Sequence, residues 1–275
     1  VLFRSAPSND QDEPPTILLV EDNEDLAIYI GSCLSDYRLF TAKNGLEGFT
    51  LAADYIPDLI ISDVMMPVMD GFTFCQKLKT DPRTDHIPVI ILTARADMES
   101  KLEGLELGAN AYLPKPFEQQ ELLLHVKNLF DYRDRLRLRY QNTVKIDDTS
   151  ILDSPTSLPP EDPFVVEVRN LVQDHLSDFT FSVEELAKLL HLSPSQCGRK
   201  LNALTGYTPS RFIRRQRLQQ ATQLLLDEEL SITAVAYDCG FQDPGYFIRV
   251  FKKELGVTPG QWREEQLSDA AAPKG

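Results

Sequence analysis

The sequence predicts a doubly wound α/β domain with a five-stranded parallel sheet, followed by an all-α domain with two helix-turn-helix units. Three observations carry this reading. At 275 residues and ~150 residues per domain, the chain holds about two domains. Residues 16–133 repeat a short apolar run and then an amphipathic stretch, the mark of parallel strands with helices on both faces. Beyond residue 163 the strand signals stop, and helical periodicity with caps and glycine stops replaces them. A hydrophobic share of 42% and a charged share of 25% exclude a fully disordered chain, a collagen-like fibre and a coiled-coil rod. No apolar run approaches the ~18–20 residues that span a bilayer. The scattered cysteines (Cys33, Cys75, Cys197, Cys239) suit neither a disulfide framework nor a zinc cluster, and they fit a reducing, cytoplasmic setting.

Thr16–Val20, Asp58–Ser62, Pro88–Leu92 and Ala111–Leu113 read as strands, and Tyr37–Thr41 as a weaker edge strand. Helices are expected near 24–35, 45–54, 71–79, 98–107 and 118–132. Residues 1–15 read as a disordered tail. Residue 1 is Val, which suggests a fragment or processed chain, and Val1–Ser5 (VLFRS) matches a translated sequencing adapter, so part of that tail reads as artefact. A second Pro- and Ser-rich stretch, Asp147–Pro163, marks the domain boundary. The expected layout is therefore 1–15 tail, 16–133 α/β domain, 134–163 helical extension and linker, 164–266 helical domain, and 267–275 disordered tail.

Net charge is −14, but it is unevenly spread. Residues 16–133 hold 10 Lys and Arg against 19 Asp and Glu, whereas residues 193–263 hold 10 against 6. The local basic excess is what matters for phosphate contacts.

In doubly wound sheets, ligands bind at the carboxyl ends of the strands. Those ends here carry Glu21 and Asp22, then Asp63, Thr93 and Lys115. Close carboxylates repel one another, and a hard cation such as Mg²⁺, with oxygen ligands, relieves this. One carboxylate could then attack a phosphoryl group, with Lys115 and Thr93 meeting its oxygens. Taken singly, an acidic pair after a strand reads as a helix cap, with Asp22 or Asn23 capping the helix from Glu24. Met65, Met66 and Met69 read as loop packing rather than a soft-metal site.

LLVEDNEDL, DLIISDVMMPVMDGF, IPVIILTA and GANAYLPKPF resemble the four signature blocks of the response-regulator receiver domain, a flavodoxin-like fold. The spacing agrees, with Asp63 preceding Thr93 by 30 residues and Lys115 by 52. The resemblance implies Asp63 as phosphoacceptor and Mg²⁺ held by Glu21, Asp22, Asp63 and the Met65 backbone carbonyl. It also implies Thr93 and Tyr112 as a switch pair, Lys115 as phosphate sensor, and a cis Lys115–Pro116 bond. Glu21 stands where many relatives have Asp.

In the second domain, Val165, Val168, Leu171, Val172 and Leu176 mark a first helix. Ser182 and Glu185 form a capping box that opens a helix to about Leu190. Ser193 and Pro194 open the next, which runs to Leu204 and stops at Gly206. This helix is expected to expose Ser195, Gln196, Arg199 and Lys200, types that reach bases and phosphates. A long helix, Pro209–Leu226, follows. The pattern then repeats: Ile232–Asp238, a break at Gly240, a helix from Pro244 or Gly245 to Leu255, and a last helix from Pro259 to about Glu265. The second unit is expected to expose Arg249, Lys252 and Lys253, with Tyr246, Phe247, Val250 and Phe251 turned inward or toward the backbone. Eighteen residues at ~1.5 Å make the long helix ~27 Å, a spacer for two reading helices about one DNA turn, ~34 Å, apart.

GRKLNALTGYTPSRFIRRQRLQQATQLL and SITAVAYDCGFQDPGYFIRVFKKELGVTPGQWR resemble the DNA-binding domain of the arabinose-operon regulator (AraC/XylS) family. That resemblance implies Gln196, Arg199, Lys200, Tyr246 and Arg249 as DNA contacts. Cys197-Gly198 departs from it, falling where relatives carry a large apolar and then a long polar residue. The first unit is then expected to bind weakly or mostly through phosphates.

Leu122, Leu129 and Leu136 recur every seven residues, with Val126 and Tyr140 between and after. They read as a short coiled-coil seam or, with Arg133, Arg135, Arg137 and Arg139, as a solvated basic helix. The whole implies a bacterial two-component regulator and not an enzyme. A histidine kinase, on the same chain or separate, would phosphorylate Asp63 and so control promoter binding, dimerisation and contact with RNA polymerase. The domain order resembles the C-terminal half of a hybrid sensor kinase anchored in the inner membrane. The alternatives are a free-standing regulator and a phosphate-sink or scaffold protein. A phosphatase would need a general acid where Met65 stands.

Overall fold

The computed structural model describes residues 14–94, 108–142 and 161–271. By its contacts the chain forms two compact units, Val1–Arg133 and Asp134–Gly275.

The N-terminal unit is built on strands β1 (Thr16–Val20), β2 (Arg38–Ala42), β3 (Leu59–Asp63), β4 (Val89–Ala94) and β5 (Ala111–Lys115). All pairs are parallel, in the order β2-β1-β3-β4-β5. β1, β3 and β4 are continuous apolar runs because both faces are covered, as parallel strands require. Ile17 and Leu19 face one core with Leu122 and Val126, while Leu18 and Val20 face the other with Phe74 and Leu78. This split follows from the two-residue period of a strand. Helices α1 (Glu24–Cys33), α2 (Gly45–Tyr55) and α3 (Gly71–Thr80), with the N-terminal part of α4 (Gln119–Asn142) as far as Phe130, cover the sheet. β1 lies between β2 and β3, so the strand order reverses beside it, and the crevice opens at the carboxyl ends there.

Several expectations change. Asp63 and Thr93 are residues within their strands rather than the first residues after them. Helix α4 runs on past Tyr132 to Asn142, within the helical extension expected from 134. No Gly or Pro interrupts it, and an Asp134–Arg137 pair at 3.8 Å supports the added turns. Leu122 and Val126 are fully buried against the sheet, and Leu129 packs beside them. The seven-residue recurrence is therefore largely core, not a seam awaiting a partner helix. The helix expected at 98–107 lies outside the described residues, as do most of the expected N-terminal tail and the Pro-rich linker.

The C-terminal unit holds α5 (Pro163–Asp174), α6 (Val183–Leu189), α7 (Pro194–Thr205), α8 (Pro209–Leu224), α9 (Ile232–Asp238), α10 (Pro244–Leu255) and α11 (Pro259–Ala271). Starts and stops follow local chemistry. Ser182–Glu185 and Ser193–Gln196 form full capping boxes, and Asp162, Ser231 and Asp243 cap α5, α9 and α10. Gly206 and Gly256 end α7 and α10 at φ 74° and 85°, a region open to glycine. Two separate cores form, one around Val168, Leu201 and Phe212, the other around Leu218, Phe247 and Trp262. Helix α8 is 16 residues long, two fewer than expected, which makes it ~24 Å. Helix α11 continues to Ala271, so the tail expected from 267 is helical that far. Among the described residues no helix is long and apolar enough to cross a membrane.

Candidate functional site

In the N-terminal unit, Glu21, Asp22 and Asp63 each bring a carboxylate oxygen within 4.8 Å of the others. Glu21 is 4% exposed and Asp63 8%, while Asp22 is open to solvent. The helix cap is Asn23, whose side chain accepts from the Leu26 amide at 3.0 Å, so Asp22 is not needed as the cap. Asp63 Oδ1 accepts from the Val64 amide at 2.8 Å. Lys115 Nζ lies 2.8 Å from Asp63 Oδ1 and 3.1 Å from Glu21 Oε2. Burial pushes the Glu21 carboxyl above its usual range and the Asp63 charge adds to this, while Lys115 opposes both. One ammonium among three carboxylates leaves a net negative, all-oxygen pocket, and that donor set suits a hard divalent cation.

Thr93 is buried, and its hydroxyl donates to the Ala94 carbonyl at 3.1 Å. The Tyr112 hydroxyl is enclosed and has no hydrogen-bond partner among the described residues. Burial raises its phenol above the ordinary value. The Lys115–Pro116 bond is cis. Met66 and Met69 pack on the first core, but the Met65 side chain is 71% exposed, so the packing expectation fails for that one.

Gly71 escaped the sequence reading. A Cβ there would stand 2.0 Å from the Asp63 carbonyl oxygen, and the Gly71 amide donates to Val64 O at 2.9 Å. Gly45 grips the same loop, its amide donating to Met69 O at 3.1 Å. The available signal was glycine directly after Asp70, the cap of α3.

In the C-terminal unit, Ser195 and Arg199 are exposed on α7. Gln196 is half-buried, its Oε1 accepting the Ser193 amide. Lys200 overturns the expectation of an exposed contact. It is 2% exposed, with Nζ 4.4 Å from the centre of the Phe164 ring. Helical phase explains this, because residues 197, 200, 201 and 205 share the buried face of α7. The Phe164 ring face offsets part of the cost of enclosing the ammonium. On α10, Arg249, Lys252 and Lys253 are exposed, and Phe247, Val250 and Phe251 are buried. Tyr246 is 43% exposed, which corrects its reading as a packing residue. Burial pushes the Cys197 thiol up to about 11 and the Cys239 thiol up to about 12, so both stay protonated packing groups at neutral pH.

Fold and pocket define one class: an α/β domain with clustered carboxylates at its strand ends, joined to a helical domain with two helix-turn-helix motifs. Residues 17–127 match the response regulator receiver domain, and residues 186–265 match a helix-turn-helix domain. The protein of Porphyra purpurea named "Probable transcriptional regulator ycf29" is 35% identical over 200 residues, 71% of this chain and 90% of that one. Histidine kinase P4 of Formosa agariphila is 37% identical over 252 residues, 91% of this chain but only 18% of that protein. The receiver domain of sensor histidine kinase PA1611 from Pseudomonas aeruginosa PAO1, solved with magnesium in its active site cleft, is 30% identical at a TM-score of 0.41 and covers 43% of this chain and 98% of that one. The chain belongs to the two-component response regulators, with a receiver domain followed by an AraC-type helix-turn-helix domain.

Proposed function

We propose that a histidine kinase phosphorylates Asp63 and that this controls sequence-specific binding of promoter DNA by the helical domain. The observation that carries the reading is the Lys115–Asp63 pair, 2.8 Å apart inside a cluster of three carboxylates. An Asp63 carboxylate oxygen attacks the phosphorus of a phosphohistidine. The P–N bond breaks, and its electron pair leaves with the imidazole. Lys115 pairs with the incoming phosphoryl oxygens in place of its present contact. Glu21, Asp22, Asp63 and the Met65 carbonyl would hold Mg²⁺, which would supply charge neutralisation for those oxygens.

The Thr93 hydroxyl then exchanges the Ala94 carbonyl for a phosphoryl oxygen, and Tyr112 moves with it. The surface formed by β5 and its neighbouring helices changes and favours a homodimer. Two DNA-binding domains on one site raise the effective concentration. Ser195, Gln196, Arg199, Tyr246, Arg249, Lys252 and Lys253 meet the DNA, and the bound dimer acts on RNA polymerase. The site is cytoplasmic. Similarity over 91% of this chain to 18% of a histidine kinase favours a hybrid parent over a free-standing regulator.

The test is labelling by acetyl phosphate with magnesium. The wild type takes the label, while Asp63→Asn and the chelated wild type do not. Beryllofluoride, a phosphoryl mimic, raises the oligomer mass and tightens or loosens binding to promoter DNA. An unlabelled wild type, or mass and DNA affinity both indifferent to the mimic, overturns the proposal.

A further inference from the structure

The two helix-turn-helix motifs have separate cores, and α8 passes through both. Phe212 and Ile213 belong to the first core, Leu218 and Ala221 to the second. One shared helix sets a distance between the motifs, but it leaves their mutual rotation to whatever else joins them. Arg217 sits where α8 leaves the first core and enters the second. Its Nη2 donates to the Asp178 carbonyl at 2.6 Å, in the turn after α5 on the first side. Its guanidinium also lies against Gly240, in the turn after α9 on the second side. A Cβ at Gly240 would come within 3.1 Å of both Arg217 Cζ and Nε.

Gly240 closes this joint from the other direction. Its φ is +70°, and a Cβ there would stand 2.2 Å from the Leu176 carbonyl oxygen, so the two turns touch through backbone. The Arg217 Nε is buried with no hydrogen-bond partner among the described residues. The planar shape of the guanidinium, more than a full set of hydrogen bonds, fills the gap. A second strut, Arg211 to Glu254 on α10 at 3.7 Å, has an exposed arginine and contributes little rigidity.

We propose that Arg217 is a positioning residue that locks the mutual orientation of the two helix-turn-helix motifs and thereby fixes the spacing between the two DNA segments the protein accepts. This rests on the DNA-binding reading above. Two reading helices must meet grooves about one turn, ~34 Å, apart. The second engagement is intramolecular only if their geometry matches that spacing. A loosened joint tolerates several spacings and binds each less tightly.

The experiment uses the full chain as wild type, Arg217→Ala and Arg217→Lys, with unfolding midpoints recorded. The DNA probe is the duplex that the wild type enriches from a random pool, together with versions carrying one base pair more or fewer between its two protected segments. The wild type is expected to lose about tenfold or more in affinity on respacing, the scale on which one of two linked contacts is lost. Arg217→Ala loses less than about threefold on the same scale, and Arg217→Lys, which keeps a donor for Asp178, falls between. Spin labels on cysteines placed at the exposed Lys188 of α6 and Thr233 of α9 read the joint without DNA, since the four native cysteines are buried. The distance distribution is narrow in the wild type and broad in Arg217→Ala. Should the alanine variant fail to fold, the lysine variant carries both measurements, with intermediate broadening expected. A folded variant that keeps the narrow distribution and the steep spacing dependence overturns the proposal. A wild type that enriches no duplex overturns the DNA-binding reading instead; the label distances then decide the lock by themselves.

Discussion

Gly71 opens α3, and Gly198 sits inside α7, where glycine costs up to about 1 kcal/mol relative to alanine. At Gly71 a Cβ would overlap the Asp63 carbonyl oxygen at 2.0 Å, and neither backbone can yield without moving the strand end that carries Asp63. Gly71→Ala is expected to lower the unfolding free energy by about 1–3 kcal/mol and to slow labelling by acetyl phosphate. At Gly198 the nearest atom, Pro209 Cδ, is 3.9 Å away. Gly198→Ala is expected to raise stability by roughly 0.4–1 kcal/mol, mostly by restricting the unfolded chain. Urea midpoints of the two variants check both signs. Gly198 shows why a departure from a family's pattern says little about cost until the neighbours are known.

The second helices of the two helix-turn-helix motifs depend on their caps. In α7 the Ser193 hydroxyl accepts from the Gln196 amide at 3.2 Å, and Gln196 Oε1 accepts from the Ser193 amide at 3.1 Å. This box satisfies two amides and orients the first turn, where the exposed Ser195 stands. Ser193→Ala is expected to cost about 1 kcal/mol and to weaken DNA binding through fraying of that turn, read from urea melts and from binding titrations. Cap and stop residues were plain in the sequence because each acts within four positions of itself. The extension of α4 beyond Tyr132 was legible from Leu129, Leu136 and Tyr140, but its end at Asn142 was not, since no Gly or Pro marks that stop. The side chains that settle there belong to longer-range contacts, such as the donation from Arg137 Nε to the Ala203 carbonyl at 2.9 Å.

Across the whole molecule, charge is divided between the parts. The acidic excess of residues 16–133 belongs to the domain that carries the carboxylate pocket, and the basic excess of 193–263 to the helical domain. DNA affinity is expected to fall steeply with salt, as released counterions require. Replacing exposed Arg249, Lys252 or Lys253 by alanine should reduce the slope of log K against log salt by ~1 each. Lys200→Met should leave that slope unchanged and alter stability instead, because the ammonium is enclosed beside Phe164. Salt titrations of the four variants distinguish the surface cations from the buried one, although all four looked alike in the sequence.

Local and periodic features were legible in the residues alone: parallel strands from buried apolar runs, helix starts from Ser caps and Pro, stops from glycine, and the carboxylates and lysine placed by their distance from strand ends. Tertiary structure alone decided what surrounds each side chain. It turned Lys200 and Leu122 inward, left Met65 and Tyr246 outside, aimed the Thr93 hydroxyl at Ala94, and laid Arg217 between two turns far apart in sequence. The physical reason is that helical and strand periods specify the direction in which a side chain leaves its own element. The identity of the atoms it meets there depends on residues tens of positions away.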